Sequence, residues 1–592
     1  MPADDQTQKN RLYYGDNLTL LRGKDTTGRP NVPDQSVDLI YLDPPFNSRQ
    51  NYNVLFAEKD GARSDSQITA FKDTWEWNEE AARSYHDVVA TGGRVAEVML
   101  AFNRLLGGSD MLAYLAMMAQ RLVELRRVLK QNGSIYLHCD PTASHYLKIL
   151  MDGIFGPQFF RNEISWRRSS AHSDAAQGMK RCGRVRDVIL FYGKDKESVS
   201  TWNTQYTPYA DDYLTSEYRH VAPSGRRYKE TDLTAARPGG DTEFLWTVKR
   251  RQGTKDRWEA DLDEEHKTPK KGWEYKSVPP YTGRFWAYSH QNIVEFVKAG
   301  KVIHRETGMP RLMQFADEMP GIPLQDDWDN INKAGGEEDL GYPTQKPEGL
   351  LDRIIRSSSN EGDLVLDPFC GCGTTVQVAE RLKRRWIGID ITHLAIGLIK
   401  TRLNTSFENH VPPIDETYEV IGTPKDVAGA EQLASENKYQ FQYWALSLVD
   451  AHPTDGLKKG ADRGIDGRIY FREAHSNDYR QIIFSVKGGR NIGVAEVRDL
   501  RGVIEREGAE IGVYLSFEAP TKPMLREAAD AGFYTSQDGS KYPRIQLLTI
   551  KGLLDGTERL ERPLHVEDVT FRKAPLARSE AAQNLSLPLA GS

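Results

Sequence analysis

Short apolar runs alternate with helical stripes along the first third of the chain. Val37-Asp38-Leu39-Ile40-Tyr41-Leu42 reads as a buried strand, and Ser134-Ile135-Tyr136-Leu137-His138 as another. Between them Leu112, Leu115, Met118, Leu122, Leu125 and Leu129 recur at helical spacing, and Asn132-Gly133 stops that helix and turns the chain. The alternation returns at Leu364-Val365-Leu366, then Val376, Ala379 and Leu382, then Trp386-Ile387-Gly388-Ile389. Strand and helix in alternation imply an α/β fold with a mostly parallel sheet. Beyond a looser stretch with Pro412-Pro413 and Gly422-Thr423-Pro424, a helical pattern from Phe441 to Val449 precedes further strands. These are Ile469-Tyr470-Phe471, Gln481 to Val486 and Ile511 to Ser516.

Composition narrows the class. At roughly 100–200 residues per domain, 592 residues make two or three domains, and 39% hydrophobic with 27% charged residues describes a folded protein. No run of about 18 apolar residues offers a membrane span. The first residues are polar, and the four cysteines show no Cys-x-x-Cys spacing, so a cytoplasmic protein without a membrane partner is expected. The net charge of -6 conceals an asymmetry. Residues 161–310 carry 27 Lys+Arg against 21 Asp+Glu, together with 19 of the 57 aromatics and six of the eleven tryptophans. Basic clusters such as Arg226-Arg227-Tyr228-Lys229 and Lys249-Arg250-Arg251 among aromatics suit phosphate neutralisation and base stacking. An irregular domain with a solvated basic face has the same composition.

The candidate chemistry lies at strand ends. Asp43-Pro44-Pro45-Phe46 follows the first buried strand, where open α/β sheets bind ligands. Two prolines fix the backbone and leave carbonyls free to accept. A carboxylate, a carbonyl and a ring together suit an exocyclic amino group on a planar base, although the same residues also make a rigid turn. Farther on, Asp367-Pro368-Phe369-Cys370-Gly371-Cys372-Gly373-Thr374-Thr375 joins a strand to a helix start, with Gly371 and Gly373 allowing close approach of a ligand and Thr374 and Thr375 able to cap. Asp390 ends the next strand, placed for ribose hydroxyls. Cys370 and Cys372 supply too few ligands for a metal and read as small fillers.

Asp43-Pro44-Pro45-Phe46 resembles the catalytic tetrapeptide of the DNA amino-methyltransferases, which methylate adenine N6 or cytosine N4. Tyr14-Gly15-Asp16-Asn17-Leu18 resembles that family's segment whose acid contacts the adenine of S-adenosylmethionine; Asp16 equally fits a helix N-cap. The Asp367–Thr375 string is similar to the family's cofactor motif. Pro343-Thr344-Gln345-Lys346-Pro347 resembles the segment leading into it, with Lys346 either paired to the cofactor carboxylate or a solvated loop lysine. The catalytic motif first and the cofactor motif last is the order of the β class, whose recognition domain lies between them.

The resemblance implies a Rossmann-like methyltransferase sheet split by a target recognition insert. Its catalytic half would span residues 1–161, the recognition region 162–335, and the cofactor half 336–405. Trp166, Trp246, Trp258 and Trp286 are then candidates to lie near DNA, or core residues. Asp43 and the Pro44 carbonyl would accept the two amino hydrogens of a base flipped from double-stranded DNA, with Phe46 stacking on it. Adenine is favoured because Asp, not Ser, opens the tetrapeptide. Cytosine N4 methylation and a non-catalytic DNA-binding module stay open. So do a homodimer and a separate restriction subunit as partners.

After a linker over 406–435, residues 436–592 form a smaller α/β domain. Asp466 before one strand and Ser485-Val486-Lys487 ending its partner resemble the Mrr-like PD-(D/E)xK restriction core, whose acids hold Mg²⁺ and whose lysine helps activate water. Ser485 departs from that pattern, which places an acid or glutamine there. A bifunctional enzyme that also cleaves DNA, or a non-cleaving domain, both follow. Glu436 and Glu473 are candidates for the missing ligand.

Overall fold

The computed structural model describes residues 9–45, 50–57, 63–73, 76–169, 180, 182–239, 242–262, 270–340, 342, 344–454, 464–473, 479–490, 492–563 and 566–568. The chain divides into two compact units, residues 204–324 and the remainder.

The larger unit is built on a nine-stranded sheet. In spatial order its strands are Asp327–Trp328, Phe160–Arg167, Arg186–Gly193, Leu129–Cys139, Val37–Leu42, Leu364–Asp367, Arg385–Asp390, Asn10–Tyr14 and Tyr418–Ile421. The six from Leu129–Cys139 to Tyr418–Ile421 pair in parallel, so their carboxyl ends share one edge. All six residues of Val37–Leu42 are buried, as expected of a central strand covered on both faces. Helix Asp110–Val128 covers it. Ser109 caps its N-terminus by accepting from the Leu112 N–H, Asp110 lies in the first turn, and Arg126 and Arg127 lie in the last, matching the helix dipole at both ends.

The sheet also draws in segments expected to lie elsewhere. Phe160–Arg167 and Arg186–Gly193 extend it antiparallel from Leu129–Cys139, and Asp327–Trp328 adds in parallel. The separate unit is therefore residues 204–324, inside the 162–335 expected for recognition. Within 406–435, read as a linker, Tyr418–Ile421 pairs with Asn10–Tyr14, and helix Val427–Glu436 follows. Four residues between proline and glycine carry too short a pattern to announce a strand, and the pairing spans some 400 positions.

The smaller unit contains a four-stranded sheet, His220–Val221, Arg227–Asp232, Pro310–Phe315 and Val302–His304, and a three-stranded one around Trp246–Arg251. Trp246, Trp258 and Trp286 are buried in its core beside Val248 and Ile293. Each indole N–H is bonded inside the unit: Trp246 to His304 Nε2, Trp258 to the Glu306 carbonyl and Trp286 to the Phe244 carbonyl. Trp166 is buried too, in the larger unit, and donates to the Ile331 carbonyl. These four are core residues and do not present a face to DNA. Arg227, Arg251, Lys255, Arg257 and Lys271 are among the exposed cations of the smaller unit.

The C-terminal part of the larger unit has its own sheet, ordered His452–Pro453, Gly467–Glu473, Tyr479–Lys487, Ile511–Ser516, Ile545–Thr549, with Val566–Asp568 also on Gly467–Glu473. Ile482, Phe484 and Val486 face one core and Ile483 the other, the period-two signature of a strand covered on both sides. Among the described residues no helix is long and apolar enough to cross a membrane.

Candidate active site

The shared carboxyl edge of the parallel strands brings the sequence motifs together. Tyr14 leads into Gly15 and Asp16, Leu42 into Asp43, and the other two strands end in Asp367 and Asp390. Gly15, Asp16, Asp43, Asp367 and Asp390 line one cavity of about 250 Å³, with Pro44, Pro45, Lys346, Phe369, Gly371, Thr374 and Thr375; Gly373 is not among its lining residues. This is the crevice at the carboxyl ends of strands where open α/β sheets bind ligands. Phe46 lies outside the described residues.

Asp43 is held from one side. Its Oδ2 forms an ion pair with the Lys346 Nζ, and Lys346 also donates to the Thr344 carbonyl at 3.2 Å. The structure therefore brings Lys346 to the carboxylate of Asp43. The other oxygen, Oδ1, is buried and has no hydrogen-bond partner among the described residues. A buried carboxylate oxygen without a donor costs free energy, so it marks a place prepared for one.

The turn after Leu364–Asp367 is shaped by two glycines in left-handed conformation, Gly371 at φ 50° and Gly373 at φ 80°. A Cβ on Gly373 would also stand 2.7 Å from Ile399 Cγ1, so this position is closed to side chains twice over. Helix Thr374–Arg381 starts there, and the Thr374 hydroxyl donates to the Lys346 carbonyl at 3.1 Å, tying the cofactor-type turn to the lysine loop. Cys370 and Cys372 are buried and free, and no group of three or more metal-ligating side chains occurs among the described residues.

Three acids have distinct settings. Burial pushes the Asp390 carboxyl up to about 6, although it accepts from the N–H groups of Thr392 at 2.9 Å and Gly371 at 3.0 Å. Burial pushes Asp367 to about 7, against hydrogen bonds from Thr375 and the Phe369 N–H. Asp16 caps helix Asn17–Arg22 by accepting from the Thr19 N–H at 2.9 Å, and its second oxygen is paired with Arg121. It is thus both an N-cap and part of the cavity wall.

Two arginines of this site have no sequence signal. Arg121 projects from helix Asp110–Val128 to Asp16 and to Asn17 Oδ1. Arg402, 2% exposed, bonds Gln377 Oε1 at 2.6 Å and the Thr374 hydroxyl at 3.0 Å from beneath the turn. Each is one arginine on a helix surface until distant segments fold over it.

The C-terminal candidates also converge, in a different state. Asp466 Oδ2 accepts the Val486 N–H at 2.6 Å, which sets it between Ser485 and Lys487, and its Oδ1 accepts Gln442 Nε2 at 3.0 Å. Glu473 is the far end of its strand, about 20 Å from Asp466 at 3.3 Å per residue. There it accepts from Tyr534, Ser536 and the Gln537 N–H. Glu436 bonds Gln432 on its own helix. Both are bonded to partners other than Asp466, and the amide of Gln442 reaches Asp466. No group of three or more His, Cys, Asp or Glu side chains that could hold a metal ion occurs among the described residues.

Comparison with known proteins agrees with this division. The family profile described as DNA methylase matches residues 37–400, and one described as restriction endonuclease matches 433–554. Type II methyltransferase M.EcaI of Enterobacter cloacae is 30% identical over 292 residues, covering 49% of this chain and 57% of that protein. DNA adenine methyltransferase YhdJ of Escherichia coli strain K12 is 23% identical over 388 residues, covering 66% of this chain and 83% of that protein. Among solved structures, the PvuII DNA methyltransferase (cytosine-N4-specific) aligns over 66% of this chain and 86% of its own at 13% identity, with a TM-score of 0.29. The chain spans about half the length of curated relatives such as M.EcaI. With its motifs gathered on one sheet edge and the profile matched across more than half its length, the chain belongs to the DNA methylase family and carries a C-terminal restriction-endonuclease-type domain.

Proposed function

We propose that the chain is a DNA methyltransferase that moves a methyl group from S-adenosylmethionine to the exocyclic amino group of a base flipped out of double-stranded DNA, with adenine N6 as the target. The observation that carries this reading is the buried Oδ1 of Asp43, without a hydrogen-bond partner among the described residues, on a residue that lines a cavity together with Asp390, Gly371 and Cys372. The cavity residues fit the cofactor. Asp390 would accept from ribose hydroxyls, Asp16 from the adenine, and the Gly371 turn would let the methionine end approach the backbone. The cofactor supplies an electrophilic methyl carbon on a sulfonium.

This chain's part is to make a poor nucleophile react. The amino lone pair is delocalised into the base. Asp43 Oδ1 accepts one amino hydrogen and the Pro44 carbonyl the other, which draws the nitrogen toward tetrahedral geometry. Lys346 holds the second Asp43 oxygen, so the acceptor does not rotate away. Catalysis then rests on positioning and on stabilising the positive charge that develops on nitrogen. A paired base cannot enter such a cavity, hence the flipping.

Adenine is favoured because Asp opens the tetrapeptide and because the relative YhdJ is named an adenine methyltransferase. The unit of residues 204–324, with exposed Arg227, Arg251, Arg257 and Lys271, is the proposed recognition surface, binding through phosphates. Mg²⁺-dependent cleavage through Asp466, Ser485 and Lys487 is not part of this reading, since Ser485 stands where the restriction core has an acid or glutamine and the partners of Asp466 include the Gln442 amide and the Val486 N–H. The test is methyl transfer from labelled cofactor to plasmid DNA, followed by nucleoside analysis. N6-methyladenine is expected; N4-methylcytosine would overturn the base assignment, and unlabelled DNA the activity.

A further inference from the structure

Beneath the cavity lies a second set of polar groups that the mechanism above does not use. His138, 0% exposed, ends strand Leu129–Cys139. Its Nδ1 is 3.0 Å from the Tyr41 hydroxyl and its Nε2 is 3.3 Å from Asp187 Oδ2. Asp187 opens strand Arg186–Gly193, is 2% exposed, and has Arg168 3.4 Å from its other oxygen. Trp166 packs edge-on against the imidazole, with ring centroids 5.5 Å apart. Three adjacent strands therefore place a carboxylate, an imidazole and a phenol in line. Tyr41, at the end of the line, stands two residues before Asp43, and both residues line the cavity.

The order of the line sets its proton positions. Burial alone would raise Asp187, but His138 and Arg168 hold it below the usual carboxylate range, so it is ionised and accepts. Where Nε2 donates to Asp187, Nδ1 is the ring nitrogen left to accept from the Tyr41 O–H. Burial and the nearby acids Asp43, Asp367 and Asp187 raise Tyr41 well above an ordinary tyrosine, so the phenol keeps its proton at rest. Its oxygen lone pairs remain for the cavity side. This is the carboxylate–imidazole–hydroxyl logic of an activated nucleophile, applied to a group that can pass a proton.

The proposed reaction needs such a group. Methyl transfer forms the N–C bond and breaks the S–C bond, leaving the methylated amino group with one proton too many. Asp43 has Oδ2 on Lys346 and holds the amino group through Oδ1, so a second acceptor lets the proton leave while that carboxylate stays charged and in place. We propose that Tyr41, backed by His138 and Asp187, is that acceptor. The Tyr41 oxygen takes the proton while its own proton moves to His138 Nδ1, and Asp187 stabilises the resulting imidazolium without becoming protonated. When product leaves, the proton returns by the same route to water entering the cavity. Tyr41 meets the reacting group; His138 and Asp187 act through it and are positioning residues.

The inference rests on Asp43 marking the transfer site, and the test separates the two. Single-turnover methylation of plasmid DNA is measured for the full chain and for Tyr41→Phe, Asp187→Asn, their double variant and Asp43→Ala. Tyr41→Phe removes one oxygen, and Asp187→Asn preserves shape while forcing the wrong imidazole tautomer. Each is expected to lower the rate about 100-fold, within the range for a lost proton-transfer group, with cofactor affinity changed less than about twofold. Because the three groups act as a unit, the double variant is expected to be no slower than the slower single one. A Tyr41→Phe rate within about twofold of the parent, or losses that multiply in the double variant, would overturn the relay. If Asp187→Asn fails to fold, Tyr41→Phe decides alone by its rate. Full activity of Asp43→Ala would instead sink the site assignment on which the relay depends.

Discussion

Two aspartates beside buried strands, Asp43 and Asp466, look alike in the sequence and differ in the folded chain. Asp43 has one oxygen paired with Lys346 and one buried with no donor among the described residues. Asp466 has both oxygens accepting, from Gln442 and from the Val486 N–H. The first is a carboxylate waiting for a hydrogen-bond donor; the second is a carboxylate employed in joining a helix to a sheet. A motif thus names the residue, and the partners around it decide whether its chemistry is available.

The comparison can be broken most directly at Asp43. Asp43→Ala is expected to lower methyl transfer at least about 1000-fold, the upper range for one preorganised transition-state contact, while calorimetric binding of S-adenosylmethionine stays within a few-fold. Loss of binding and transfer together would remove the distinction between the two carboxylates' roles. Asp390→Asn should act the other way, raising the cofactor Kd about 10-fold through one weakened charged acceptor and leaving the rate at saturation nearly unchanged.

The pH dependence of cofactor binding sharpens the same point. The folded Asp390 carboxyl is raised to about 6 by burial, so its charged form is present above that value and lost below it. Ribose hydroxyls donate to the charged form. Affinity should therefore hold above pH 7 and fall as pH drops through 6, with Asp390→Asn flattening the curve. A profile flat from pH 5 to 8 in the parent would contradict the role given to Asp390.

The smallest effect belongs to the second aspartate. Asp466→Ala should cost roughly 1–3 kcal/mol, read as a lower melting temperature of the C-terminal transition, because the part-buried Gln442 amide and the Val486 N–H lose their acceptor. Lys487→Ala should leave both methylation and stability near parent values, as expected of an exposed lysine. Divalent-cation-dependent nicking abolished by Lys487→Ala would reverse the contrast between the two sites.

Much of the site was legible before folding because its chemistry is carried by contiguous residues. Asp43-Pro44-Pro45, the Asp367–Thr375 turn and Asp390 each sit at the end of an apolar run, and a parallel sheet puts such ends on one edge. The glycines at 371 and 373 were readable for the same local reason, as left-handed positions in a tight turn. Lys346 was legible as a site residue but not in its contact, because its partner lies about 300 positions away. The tryptophans of the basic insert were ambiguous for a further reason. An indole needs apolar cover and one acceptor, and a core supplies both as readily as DNA does.

The sequence alone therefore determined the central apolar strands, where their acids stand, and the order of the motifs along the chain, since period, turn residues and motif order are local properties. Tertiary structure decided what those acids can do. It gave Asp43 to Lys346 and Asp466 to Gln442, sank Trp246, Trp258 and Trp286 into a core, and lined up Asp187, His138 and Tyr41 from three strands. Hydrogen-bond state and burial depend on neighbours far apart in the chain, and only folding selects them.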